Sequence, residues 1–174
     1  MACGARWRRL RWALAAVGGL LVLMQLVPYG WSHPNPPVVQ DAPWPSARSE
    51  ALARAACYDC HSNEVEWPAY AYVAPVSWLV RRDVEQGRAE LNFSLWGAGA
   101  GEVDEGAETV EEGSMPPRQY LLAHPAARLS DDEKAELVAA LESLGDGDGD
   151  GDGDADGGED EDDGDDDRRG PDRG

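Results

Sequence analysis

Five consecutive residues, Cys57-Tyr58-Asp59-Cys60-His61, bring two thiols and an imidazole within about one helical turn. Two cysteines three apart with a histidine directly after the second form the C-x-x-C-H spacing of covalent haem attachment. The chemistry accounts for the spacing. The thiols join two vinyl groups on one edge of the porphyrin, while the histidine turns under the ring to ligate iron. A C-x-x-C pair also serves as a redox disulfide or as half a zinc site. The first wants a βαβ pattern around it, and the second wants further ligands at suitable spacing. The remaining cysteine, Cys3, lies before a long apolar run, and the other histidines are His33 and His124. The motif predicts one covalent haem c, with Cys57 and Cys60 as attachment points and His61 as proximal iron ligand.

Iron held by one histidine keeps a free axial position, whose occupant decides the chemistry. A thioether makes the iron six-coordinate and suits electron transfer, whereas an open position invites ligand binding or peroxide chemistry. Met115 is the one methionine outside the apolar run and the initiator position, and Pro116 and Pro117 behind it stiffen the loop that would present its sulfur. His124 is the competing distal ligand, and Met115 as a gap-filling core residue is the structural alternative.

The elements that must position these groups follow in chain order. Arg6, Arg8, Arg9 and Arg11 close a basic segment, 1–11, and an apolar run from Trp12 to Val27 is broken only by Gln25. With Tyr29 and Trp31 as interfacial aromatics, 12–31 reads as an uncleaved transmembrane anchor, favoured over the alternative of a cleaved signal peptide because no small-x-small site follows it. The arginines place its N-terminus inside the inner membrane and the rest on the periplasmic or extracytoplasmic side. Residues 32–45 are proline-rich and predict an extended stand-off, with His33 a solvated linker residue. The haem domain spans 46–145. Ser46 or Ser49 caps a helix that runs to Cys60, with Leu52, Ala55 and Ala56 on one face. A second helix runs from Pro75 to about Gln86, carries Val76, Leu79, Val80 and Val84 as its core stripe, and stops at Gly87. Residues 91–96 form an aromatic loop, 97–106 an irregular glycine-rich stretch, and Glu102–Glu112 an exposed acidic helix. Ser130-Asp131-Asp132-Glu133 is a capping box. The helix after it presents Leu137, Val138, Leu141 and Leu144, ends at Gly145, and packs on the helix leading into the motif. Trp67, Trp78, Phe93 and Trp96 are the expected haem-packing aromatics.

A net charge of −19 excludes a nucleic-acid-binding surface, which would be basic. The acidity is shared: 45–145 holds eighteen acids against eight bases, and 146–174 fifteen acids against three arginines. The latter stretch cannot build a core and reads as a disordered, solvated Asp/Gly tail. Asp148, Asp150, Asp152, Gly153 and Glu159 satisfy the spacing of a calcium loop, but alternating Asp-Gly meets it almost by accident and no exiting helix follows.

The pieces Cys57-Tyr58-Asp59-Cys60-His61-Ser62-Asn63, Trp67-Pro68, Ala74-Pro75-Val76-Ser77-Trp78, Leu91-Asn92-Phe93-Ser94, Trp96, Met115-Pro116-Pro117, Tyr120 and His124-Pro125 together resemble the bacterial haem-binding domain family, small membrane-tethered relatives of cytochrome c. The resemblance covers roughly 45–145. It implies an all-α, cytochrome-c-like domain with covalent haem, His61 as proximal ligand and the methionine of the Met-Pro-Pro loop as distal ligand. The resulting expectation is a membrane-anchored monohaem c-type cytochrome that carries single electrons to a redox protein partner, is a monomer, and is not itself a catalyst. The alternative is a haem enzyme or sensor, such as a peroxidase or gas binder, with an exchangeable sixth ligand.

Overall fold

In a computed structural model of the chain, residues 2–97 and 99–148 are described. Among them are seven α-helices, α1 (Ala2–Met24), α2 (Ala47–Ala56), α3 (Tyr58–His61), α4 (Val76–Glu90), α5 (Val103–Glu111), α6 (Arg118–Ala123) and α7 (Asp131–Asp148). No strand occurs among the described residues, only the isolated bridges Gln40 to Leu95 and Leu91 to Gly101. The all-α expectation is met. The acidic residues from 149 onward, with most of the calcium-loop positions, lie outside the described residues.

The core forms where α2, α5 and α7 meet around Leu52, Ala53, Val103, Ala107, Val110, Leu137, Leu141 and Leu144. Local chemistry starts α2 and α7 as the sequence predicts. The Ser46 hydroxyl accepts from the Ser49 N–H at 3.0 Å and the Ser49 hydroxyl accepts from the Ser46 N–H at 3.2 Å, a reciprocal cap. Ser130 and Glu133 do the same for α7, and Arg48 on α2 pairs with Glu133 and Glu136 across the junction. The last helix therefore closes onto the helix before the motif.

Several local expectations give way to packing. Gly87 does not stop α4, which runs on to Glu90, because a side chain there would collide with the Cys60 backbone and the helix needs a gap rather than an end. Gly145 likewise lies inside α7, without positive φ, where its bare face meets Asp104 on α5. The acidic helix α5 is not exposed all round. Val103, Ala107 and Val110, at i, i+4 and i+7, are buried against α7 while its carboxylates face out. Of the expected α4 stripe only Val84 is buried; Val76 and Leu79 are exposed.

The proline-rich stretch is a strap rather than a stand-off. An extended chain has no internal hydrogen bonds, and here its polar groups bond to the domain. Asn35 donates to the Val65 carbonyl, Asn63 to that of Pro37, Arg88 to that of Pro34, and the Ala42 N–H to that of Phe93. His33 is correspondingly not a solvated residue. It stacks on Tyr72 at 4.0 Å, meets Trp67 edge-on, and its Nε2 lies 2.9 Å from the Ala71 carbonyl oxygen.

The anchor expected over 12–31 is also revised. The helix begins at Ala2, includes all four arginines and stops at Met24. Its uncharged part, Trp12–Met24, is thirteen residues, which at 1.5 Å per residue is about 20 Å against a hydrocarbon core of about 30 Å. No helix of the described residues is long and apolar enough to cross a membrane.

Candidate haem site

The motif makes its own turn. α2 ends at Ala56, the chain bends at Cys57 (φ −122°, ψ −38°), and the Cys57 carbonyl accepts from the N–H groups of Cys60 at 3.0 Å and His61 at 2.9 Å. Tyr58 points into the core. Its ring stacks on Phe93 at 5.5 Å, its hydroxyl donates to Asp41 at 2.8 Å and accepts from the Trp44 indole at 2.9 Å, and the Arg54 guanidinium covers its face at 4.4 Å. With Tyr58 locked inward, Cys57, Cys60 and His61 all turn to one cavity of about 420 Å³. Ala56, Leu91, Phe93, Val110 and Leu141 supply apolar wall, and Met115 with Pro116 and Pro117 lines the same space.

His61 is oriented by its backbone neighbour. Nδ1 lies 3.1 Å from the Leu91 carbonyl oxygen, which can only accept, so Nδ1 carries the proton and Nε2 keeps its lone pair. Burial also lowers the His61 pKa, holding the imidazole neutral. A neutral ring with one nitrogen tied to a carbonyl is the usual state of a metal-ligating histidine. Burial pushes the Cys57 and Cys60 thiols up to about 12 each. That is opposite to the low-pKa thiolate that disulfide chemistry requires. The zinc reading meets its own obstacle: among the described residues no group of three or more His, Cys, Asp or Glu is placed to hold a metal ion.

Met115 is held from two sides. The Met115 N–H and the Ser114 hydroxyl both donate to the Thr109 carbonyl near the end of α5, at 3.1 and 3.0 Å. On the other side, Tyr120 on α6 donates its hydroxyl to Asp59 Oδ2 at 2.9 Å, tying the segment after the two prolines directly to the cysteine motif. Residues 54 apart in sequence thus share one chamber. The donor set fits haem: two thiols at one wall, a neutral imidazole with Nε2 free, a thioether on a braced loop, and apolar walls enclosing a volume within the range of cofactor pockets.

Phe93 lines the chamber, whereas Trp67, Trp78 and Trp96 do not, so packing against a group bound there falls to Phe93 and the aliphatic residues. Trp96 is core, and the indole N–H groups of Trp67 and Trp78 are buried without a partner. His124 is also absent from the chamber. It stacks on Tyr120 at 3.9 Å, its Nδ1 donates to the Tyr120 carbonyl at 3.0 Å, and its Nε2 lies 3.3 Å from the Tyr70 hydroxyl. It lines a second cavity of about 410 Å³, together with Asp59, Val76, Leu79 and Val80, on the other side of Tyr120 and Cys60. Met115, unlike His124, lines the same chamber as His61.

Sequence reasoning missed the residues that fasten loop 91–96 to the motif. The Asn63 N–H donates to the Ser94 hydroxyl oxygen at 2.9 Å, Asn92 Nδ2 donates to Asn63 Oδ1 at 3.1 Å, and the Phe93 N–H donates to the His61 carbonyl at 2.8 Å. Ser62, Asn63, Asn92 and Ser94 are all buried. The available signal was the polar pair directly after His61 and the Asn-x-Ser in an otherwise apolar loop, since buried polar groups occur where they bond one another.

The family model described as haem-binding domain matches residues 19–143 of the chain. The chain belongs to that haem-binding domain family. A curated relative, cytochrome c peroxidase Ccp of Escherichia coli (strain K12), is 27% identical over 141 residues, which is 73% of this chain and 30% of the relative. The chain thus spans less than a third of the length of that relative. No solved structure matches the chain.

Proposed function

We propose that this haem-binding domain is a single-electron carrier holding one covalent haem c, bonded through Cys57 and Cys60 and ligated by His61 and Met115. The observation that carries the reading is the shared chamber: the motif and the Met-Pro-Pro loop line one cavity although the sequence separates them by α4 and α5. Haem iron supplies reversible one-electron chemistry, and histidine with methionine as axial ligands favours transfer over catalysis. Leu91 fixes the imidazole tautomer, Tyr120 and Thr109 brace the methionine loop, and Phe93, Val110 and Leu141 exclude water. The acidic surface suits a basic redox protein, with an on-rate that falls as salt rises. Covalent attachment of this kind belongs to an extracytoplasmic compartment, and the apolar side chains exposed around α1 support attachment of the domain to a membrane surface.

The test is an absorption spectrum of the full chain, produced with haem-attachment machinery, beside Met115→Ala in both oxidation states. A weak far-red ferric band lost in the variant, with no carbon monoxide binding by the reduced parent, is the expected result. A parent that lacks the band and binds carbon monoxide readily refutes Met115 ligation.

Two observations favour a second reading. Met115 is 37% exposed, and the relative over part of whose length the chain aligns bears the name of a peroxidase. A loop that swings away would open the sixth site to peroxide or a gas, and the carbon monoxide experiment decides between the two.

A further inference from the structure

The foot of α1 is not a free hinge. Gln25, the polar residue that interrupts the apolar run, makes a two-way backbone clamp: its Nε2 donates to the Ala74 carbonyl at 2.9 Å and its Oε1 accepts from the Ala74 N–H at 3.0 Å. The Trp31 indole donates to the Gln25 carbonyl at 3.1 Å, the Tyr29 hydroxyl to Glu85 at 2.9 Å, and Arg81 to the Ser32 carbonyl at 3.0 Å. Between them Gly30, at φ +86°, lies so close to Ser77 that a methyl group would sit 3.0 Å from its backbone. The start of α4 and the end of α1 are therefore held in a set relation.

Around this clamp the domain surface is apolar. Residues 67–80 contain no charged side chain, in a chain of net charge −19. Within them Tyr72, Val73, Val76 and Leu79 are between 43% and 59% exposed, the first two directly before Ala74 and the other two at the start of α4. Arg82 follows Leu79 by three positions, on the same helical side, where a long basic side chain can reach the polar boundary of an apolar layer. Leaving the clamp in the other direction, Leu20, Leu21, Val22 and Leu23 are all exposed, and four successive residues cover the full circumference of a helix. A helix that is apolar on every side is matched by lipid rather than by one protein face. Tyr29, Trp31 and Tyr72 are of the residue class that settles at the membrane–water boundary.

We propose that the Tyr72–Leu79 face docks on the surface of a lipid bilayer, and that the Gln25–Ala74 clamp sets this orientation. The inference rests on the membrane attachment proposed above and adds which face of the haem domain lies down. α1 inserts its apolar side chains, the clamp stops the domain from tumbling on its tether, and the uncharged 72–79 surface meets the interfacial layer. The motif-bearing chamber then keeps a constant attitude to the membrane, so that only one side of the domain is presented to a redox partner.

The experiment places the haem-loaded full chain in vesicles of phosphatidylcholine containing a small fraction of a phosphatidylcholine with a photoreactive diazirine near its headgroup, and maps lipid adducts by mass spectrometry. Adducts are expected on residues 12–31 and, in addition, on 72–79. Gln25→Ala is expected to keep the first set and lower the second about tenfold, as the loss of two hydrogen bonds implies. Val73→Asp with Val76→Asp, both at exposed positions, is expected to do the same without affecting the haem spectrum. Adducts on 12–31 with none on 72–79 would overturn the docked orientation while leaving attachment standing; no adducts at all would remove attachment itself. Adducts on 72–79 that are equal in the parent and Gln25→Ala would overturn the role of the clamp.

Discussion

Replacing Gly87 by alanine sets two effects of opposite sign against each other. Gly87 lies in the interior of α4, where alanine is ordinarily favoured over glycine by about 1 kcal/mol. In this fold the added methyl would fall 2.6 Å from the Cys60 carbonyl oxygen and 3.0 Å from its Cβ. Carbon contacts settle near 3.5–4.0 Å, so α4 or the cysteine turn has to move by about half an ångström or more. Neither moves freely. Arg88, the next residue, donates to the Ser62 carbonyl at 2.6 Å and to that of Pro34 at 3.0 Å, and α3 is tied to loop 91–96. Overpacking costs about 1–3 kcal/mol, and a clash with backbone belongs at the upper end. The net expectation is destabilisation by about 2 kcal/mol, a fall in melting temperature on the order of 10 °C for a domain of this size. Far-ultraviolet circular dichroism during thermal and urea unfolding of the haem-free chain measures it. Ala89→Gly, at an exposed position of the same helix, serves as the control in which propensity alone acts, with a loss of about 1 kcal/mol. If Gly87→Ala melts at or above the parent temperature, α4 does not press on the cysteine turn and the account of the site's construction is wrong.

Other outcomes follow from the same contacts. Tyr120→Phe removes the bond to Asp59 and should cost about 1–2 kcal/mol. It should also loosen the methionine loop, read as faster carbon monoxide binding by the reduced haem-loaded chain; unchanged binding would show that Tyr120 does not brace Met115. In the folded haem-free chain, alkylation of Cys57 and Cys60 at pH 8 should be roughly a thousandfold slower than in urea, since raising a thiol from about 9 to about 12 lowers the thiolate fraction by that factor. Equal rates would contradict the burial of the thiols. Because folding raises both thiol pKa values, their linked contribution is fully present below about pH 9 and is lost as pH rises towards about 12. The urea midpoint of the haem-free chain should accordingly drift down over that interval, and a Cys57→Ser/Cys60→Ser chain should drift less. Phe93→Ala, at a side chain only 1% exposed between Tyr58 and the chamber, should destabilise by about 3–5 kcal/mol; a loss below about 1 kcal/mol would place Phe93 outside the core.

Much of the site's inventory was legible because its chemistry is local. Cys57, Cys60 and His61 need only the period of one turn, and the serine caps of α2 and α7 depend on residues three positions apart. The Met-Pro-Pro loop stood out by type, since Met115 is a soft donor in a stiff surface segment. Glycines misled for a definite reason: a helix stop and a helix crossing both require the absence of Cβ, and only the neighbour distinguishes them. Gly87 and Gly145 are crossings. The α4 stripe misled because apolar periodicity reports an amphipathic helix without saying what covers it. Val84 found the core, while Val76 and Leu79 face outward beside the foot of α1. The indole N–H groups of Trp67 and Trp78 are buried outside the chamber, because a large apolar side chain marks itself in the sequence as buried without showing which cavity it faces.

What the sequence determined by itself is the cysteine–histidine motif, the helical class, the helix starts and the acidic character, because each is encoded in residue type or in spacings shorter than two helical turns. What the tertiary structure decided is which groups share a space. It brought Met115 to the chamber of His61 and turned His124 away, made the proline stretch a strap, and spent the one polar residue of the apolar run on a clamp to Ala74. Those outcomes depend on contacts between residues tens of positions apart, and such contacts exist only after the chain has closed on itself.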